Sequence, residues 1–199
     1  FPKEYTNVNK KYNSLARNGF DVISSQFSMH YYFHTQKTFD GFLQNLKDNL
    51  KKGGYFIGTC YDGSYIFNHF YEKNKLFKKI WDEGVPSSED SNDDVYEEYK
   101  ELKYKDLCDN LVYSIQKDYT IDNFNYNPDD ISNMFGNQIN VYMDSIGQTI
   151  TEYLVNFDFF QDVMEKNGFR LVKPNSSKNY SHLLKSKYFE NNIGRFKNL

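Results

Sequence analysis

A strand, a helix and a second strand follow one another within about forty residues, and no other feature constrains the fold as much. Phe20-Asp21-Val22-Ile23-Ser24-Ser25 is a short apolar and β-branched run that reads as a buried strand. Over residues 37–51, Phe39, Phe42, Leu43, Leu46 and Leu50 recur at helical spacing. Lys47, Lys51 and Lys52 crowd the end of that stretch, where cations suit the negative helix terminus. Gly53-Gly54 is expected to stop the helix, because glycine takes the left-handed cap conformation at little cost. Tyr55-Phe56-Ile57-Gly58-Thr59-Cys60 then reads as a second strand, parallel to the first because a crossover helix joins them. The chain is therefore expected to be α/β.

Downstream, Asp62-Gly63 makes a turn and Tyr65, Ile66, Phe67 and Phe70 open a helix running toward Trp81. The stretch 82–101 is acidic and reads as a solvated loop. Leu111–Ile115 and Gln138–Met143 are strand-like, separated by Asn, Asp and Gly turns, as in an antiparallel insertion. Asn156 is a plausible cap for a helix with an apolar stripe of Phe159, Phe160, Val163 and Met164, ended by Gly168. Phe169–Val172 reads as a further strand before a polar tail. The expected parts are a strand-helix-strand core at 20–60, an insertion at 61–150, and a C-terminal helix, strand and tail at 151–199. All of them lie in one partial domain.

Charge excludes a basic nucleic-acid coat, since 24 Lys and Arg face 27 Asp and Glu for a net −3. Contact with RNA has to come from a local patch or from groups that read one nucleotide. Tyr and Phe number 18 each, but many Asn and Lys accompany them, so a biased genome explains the excess better than stacking does. Cys60 and Cys108 form no CxxC or Cys/His metal spacing and read as free, inert thiols in a reducing, intracellular compartment. No metal site is expected.

At Gln26 the residues stop being generic. Phe20-Asp21-Val22-Ile23 followed by Gln26-Phe27-Ser28-Met29-His30-Tyr31-Tyr32-Phe33 resembles the signature of mRNA cap guanine-N7 methyltransferases. Three more stretches are similar to that family's motifs and occur in the same order: Leu50–Thr59, Phe135–Ile139 and Glu152-Tyr153-Leu154-Val155. Tyr61-Asp62-Gly63 looks more like the enzymes of large cytoplasmic DNA viruses than those of animals or fungi.

The resemblance implies the C-terminal portion of a Rossmann-like class I S-adenosylmethionine-dependent methyltransferase with an antiparallel insertion. Strands one to three, the glycine-rich loop and the acids that hold the cofactor ribose and adenine are expected upstream of Phe1. Residues 1–199 alone are accordingly expected to be inactive. Gln26, Phe27, Ser28 and Tyr31 match positions used around S-adenosylmethionine, with S-adenosylhomocysteine as product. His30, Tyr31 and Glu152 match positions facing the cap guanine; as structural residues His30 would be a satisfied helix-side histidine and Glu152 an acid near a helix start. No general base is expected, because N7 already carries a free lone pair. Tyr142 and Tyr153 are expected in the core. The implied partner is the capped 5′ end of mRNA. Fused triphosphatase and guanylyltransferase domains and a stimulatory subunit stay open, as does a cap-side tyrosine beyond Leu199. The expected setting is host cytoplasm or virion, with the nucleus open. Two other readings also stay open: a different Rossmann-type methyltransferase, and a non-catalytic stimulatory subunit of a capping enzyme.

Overall fold

The computed structural model describes residues 18–82 and 100–172. The bulk of the acidic stretch, the polar start and the tail lie outside them. The chain divides into two compact units, Phe1–Phe160 and Gln161–Leu199.

β1 (Phe20–Gln26) pairs in parallel with β2 (Leu50–Thr59). A 3-10 turn (Met29–His34) and α1 (Gln36–Asn49) connect them. Thr35 opens α1 by a reciprocal cap: its hydroxyl accepts from the Thr38 N–H at 3.2 Å, and its own N–H donates to Thr38 Oγ1 at 3.0 Å. The expected stripe of Phe39, Phe42, Leu43 and Leu46 is buried.

Three expectations need correction in this half. The helix ends at Asn49, not at the glycines, and β2 starts at once with Leu50. Gly53 (φ +82°) and Gly54 instead accommodate a register shift opposite Phe20–Val22, where a Cβ on Gly54 would sit 2.8 Å from the Asp21 carbonyl oxygen. β1 is also not buried, since Phe20 and Val22 face solvent. A parallel strand is covered only when packed on both faces, and among the described residues this sheet has two strands. Finally, Phe169–Val172 forms no strand: Leu171 and Val172 are exposed, and no described strand offers the ladder that an apolar run needs.

The second sheet is an antiparallel meander in the order β3 (Glu101–Lys105), β4 (Leu111–Asp118), β5 (Gln138–Met143), β6 (Gln148–Tyr153). Register partners share a face, so one face carries the rows Lys117–Ile139–Glu152, Leu102–Ile115–Val141–Ile150 and Tyr104–Tyr113–Met143–Gln148. Ile115, Ile139 and Val141 make that face the buried one. The opposite face is laced by polar side chains, with Gln138 and Asn140 donating to Asp118 and Thr151 donating to Asn140. Tyr142 and Tyr153 are only half-buried, which corrects the core expectation; Tyr153 stacks on exposed His34 at 4.8 Å.

α2 (Gly63–Asp82) is capped by Asp62, whose carboxylate accepts from the Tyr65 N–H at 3.1 Å. Its Phe67 ring lies against Tyr119 and Phe124. α3 (Phe157–Lys166) begins as expected at Asn156, whose Oδ1 accepts from the Phe159 N–H. Phe33, fully buried, packs among Phe39, Phe135 and Phe159 and ties the 3-10 turn to the rest of the core.

Candidate functional site

The site is built from a turn and a strand. The turn leaves the carboxyl end of β1, where ligands bind in open α/β sheets. The Phe27 N–H donates to the Thr59 carbonyl at 2.8 Å and meets Thr59 Oγ1 at 3.2 Å. Thr59 Oγ1 donates to Gln26 Oε1 at 2.8 Å, and Gln26 Nε2 donates to Ser24 Oγ at 3.0 Å. The hydroxyls of Ser25 and Ser28 lie 2.9 Å apart. This mesh holds Phe27 in the left-handed region, at φ +46°, with 64% of it exposed. A non-glycine residue is strained there, so the backbone is forced to hold an apolar ring out in solvent.

His30 follows in the 3-10 turn, buried, with its ring centroid 4.3 Å from that of Tyr31. Glu152 comes from β6, on the buried face of the meander beside Ile139. It sits on a strand, not near a helix start. Side-chain exposures are 3% for His30 and 11% for Glu152, and His30 Nε2 lies 3.5 Å from Glu152 Oε2. The two are not hydrogen-bonded to each other, and both imidazole nitrogens and Oε2 are buried without a hydrogen-bond partner in the protein.

Burial lowers the His30 imidazole to about 4 and raises the Glu152 carboxyl to about 7. The two are therefore not an imidazolium–carboxylate pair at neutral pH, despite their proximity. Burial followed by the field of Glu152 raises the phenols of Tyr31 and Tyr61. The Cys60 thiol is pushed up to about 12 by burial, then Asp62 and Glu152, which keeps it protonated and unreactive. Tyr61 was not among the residues expected at the site; the available signal was its place directly after β2, at the sheet's carboxyl edge.

The third motif supports the other two. Gly136, at φ +74°, donates its N–H to the Phe33 carbonyl at 2.9 Å. Buried Asn137 accepts the Leu154 N–H on its carbonyl at 2.9 Å and donates its side-chain amide to the Asn133 carbonyl. So the segment Gly136-Asn137 bonds both to the turn that carries His30 and to the strand end that follows Glu152. His30, Tyr31 and Glu152 are thus brought together, while Gln26, Phe27 and Ser28 form the adjoining turn.

The model of the mRNA (guanine-N(7))-methyltransferase domain matches residues 4–198. The chain belongs to this family. The mRNA cap guanine-N(7) methyltransferase of Candida glabrata is 24% identical over 152 residues, which are 76% of this chain and 30% of that protein. The corresponding enzyme of Aspergillus clavatus is 27% identical over 156 residues, 77% of this chain and 27% of the relative. A probable mRNA-capping enzyme of Acanthamoeba polyphaga mimivirus is 35% identical over 68 residues, 34% of this chain and 6% of the relative. The chain thus spans less than a third of the length of these family members. Both fungal and viral proteins resemble it.

Proposed function

We infer that this chain forms the guanine-holding side of an mRNA cap (guanine-N7)-methyltransferase, acting on the capped 5′ end of mRNA. The carrying observation is the Glu152–His30 pair, two buried side chains with unpartnered polar atoms, held 3.5 Å apart by separate elements. A carboxylate accepts from guanine N1–H and the exocyclic amino group together, an edge that adenine does not offer. Neutral His30 adds one donor and one acceptor, and a neutral imidazole has no spare proton to hand to N7, the atom that must keep its lone pair. Tyr31 offers its ring beside them.

S-adenosylmethionine would supply a methyl group on a cationic sulfur, so no base has to remove a proton before transfer. The chain's own work is orientation, worth up to roughly 7–11 kcal/mol in favourable cases. On the cofactor side, the residues present fit a flat heterocycle: Phe27 is held outward under strain, and Gln26 keeps one amide hydrogen beyond its bond to Ser24. Ser28 stands next to them on the turn. The exposed Phe20 and Val22 support a larger parallel sheet, with further strands and the glycine-rich loop supplied from upstream. The mimivirus relative supports a viral capping polypeptide with fused domains.

Glu152→Ala in the complete enzyme tests this reading. Two guanine donors would be stranded, each at about 1–3 kcal/mol and together about 2–6 kcal/mol, so kcat/KM for capped substrate should fall by roughly thirtyfold or more. Glu152→Gln places a donor against a donor and should be nearly as harmful. Cofactor binding and folding should survive both changes. Unaltered methylation in either variant would remove Glu152 from the site.

A further inference from the structure

Beyond Glu152, the buried face of the meander runs out into a row of tyrosines that the chemistry above does not use. Tyr104 and Tyr113 are register partners on β3 and β4, and their rings stack with centroids 5.5 Å apart and planes 18° from parallel. Tyr113 pairs next with Met143, on whose sulfur the Tyr61 hydroxyl rests at 3.8 Å. Tyr65, in the first turn of α2, is close enough to perturb the Tyr113 phenol, as Tyr104 is. Tyr61 is likewise perturbed by both Glu152 and Tyr113. A continuous line of neighbours therefore leads from Glu152 through Tyr61 to Tyr113 and its two companions. From register, Tyr113 stands four residues along and two strands across from Glu152, about 17 Å away.

The placement matters more than the chain's aromatic content. Phe33, Phe39, Phe70 and Phe159 are driven fully into the core. In this row Tyr65 is 67% and Tyr104 39% exposed, while Tyr61 and Tyr113 are half-buried. The two cations on β3, Lys103 and Lys105, are each paired with a carboxylate, of Glu101 and Asp109. A partner held here is therefore held by ring faces and not by phosphate contacts.

We propose that this row is a stacking platform for the nucleotides that follow the capped one, taken as single-stranded RNA and without regard to sequence. It rests on the cap reading above and extends it along the substrate. Every base has a π-face, so aromatic side chains hold successive bases of a flexible strand without reading their edges. The distance from Glu152 leaves room for the triphosphate bridge and the first nucleotide between the two subsites.

The test uses the full-length enzyme, a cap dinucleotide and a short capped single-stranded RNA. Tyr104→Ala and Tyr65→Ala alter exposed side chains, and a melting curve checks that each variant folds. Each should raise KM for the capped RNA about five- to a hundredfold, the loss of one base stack. KM for the dinucleotide should not move, and Tyr104→Phe should behave as the unsubstituted enzyme. The RNA-specific advantage should also depend weakly on salt, since few phosphates are engaged. An unchanged KM for RNA, or an equal rise for both substrates, overturns the platform. So does sedimentation in which Tyr104→Ala splits a dimer, which would make the row a self-association face. Failure of the unsubstituted enzyme on the dinucleotide instead removes the cap reading and the platform with it.

Discussion

The two sheets of this molecule treat their apolar residues in opposite ways. In the meander, Ile115, Ile139 and Val141 are 4%, 1% and 3% exposed, whereas Phe20, Val22 and Ile57 of the parallel pair are 44%, 50% and 49% exposed. Sequence content does not separate them, since both sets are apolar and lie in strands. Topology does. A meander needs cover on one face, part of which the turn around His30 supplies. Parallel strands are built to be covered on both faces, and α1 covers one of them. A groove of about 310 Å³ also opens between β1 and α1, lined by Phe20, Ile23, Phe42, Leu46 and Phe56 among others. The contrast marks the parallel pair as the part of the domain that gains most from further structure.

The sharpest way to break this contrast is a matched truncation. Ile139→Ala should cost about 2–5 kcal/mol in urea unfolding, because a buried isoleucine leaves a cavity. Val22→Ala should stay within about 0.5 kcal/mol. Equal losses would mean that β1 is as well covered in solution as the meander.

Titration should sharpen the comparison next, because the meander's buried face carries an acid and the parallel pair's does not. Burial raises Glu152 from 4.5 to about 7, so the folded chain keeps a proton that the unfolded chain releases, and this contribution to stability falls as pH rises through that window. His30 is lowered from 6.5 to about 4, so the unfolded chain takes up a proton that the folded chain refuses, and stability is lost as pH falls below 6.5. The slopes oppose one another between 4.5 and 6.5. Glu152→Gln removes one of them, so its stability relative to the unsubstituted protein should grow by on the order of 2–3 kcal/mol between acid and neutral pH. In the complete enzyme, cap affinity should weaken up to about tenfold per pH unit below 7 in the unsubstituted form and stay flat in Glu152→Gln.

Smaller effects belong to two glycines. Gly63 donates its N–H to the Val155 carbonyl where β2 hands over to α2, and an added Cβ would lie 2.5 Å from that same backbone. Gly63→Ala should cost about 1–3 kcal/mol and loosen the seam between the sheets. Gly41, inside α1, has nothing within 4 Å of an added Cβ. Gly41→Ala should stabilise by about 0.5–1 kcal/mol. Thermal melts of the two variants, shifting in opposite directions, would check both.

What the sequence made legible follows the same physics. α1, α2 and α3 were readable because apolar stripes are local signals, and Asn156 acts as the expected cap, while Thr35 and Asp62 cap the other two helices without having been read as caps. β6 was harder. Its buried side reads Gln148, Ile150, Glu152, so one apolar residue is left to announce a strand. The burial of Glu152 could not be read for the same reason. Gly53-Gly54 misled because glycine serves a helix cap and a strand bulge equally well, and only the partner strand decides between them. His30, Tyr31 and Glu152 were reachable through motif resemblance, not through spacing.

His30 and Glu152 are separated by more than a hundred residues of chain, yet their contact is bridged by Gly136-Asn137 bonding to both sides. A nascent or partly unfolded chain therefore has no assembled pair, only its halves. Closing so long a loop costs entropy that neither sheet recovers alone. On the cap reading, a base that engages both side chains acts as a clasp, binding the assembled form and not the separate halves. Its occupancy should raise the melting temperature in proportion to the logarithm of its concentration. The pair would then be a gauge of whether the domain has finished folding, and guanine nucleotide a small-molecule chaperone for it.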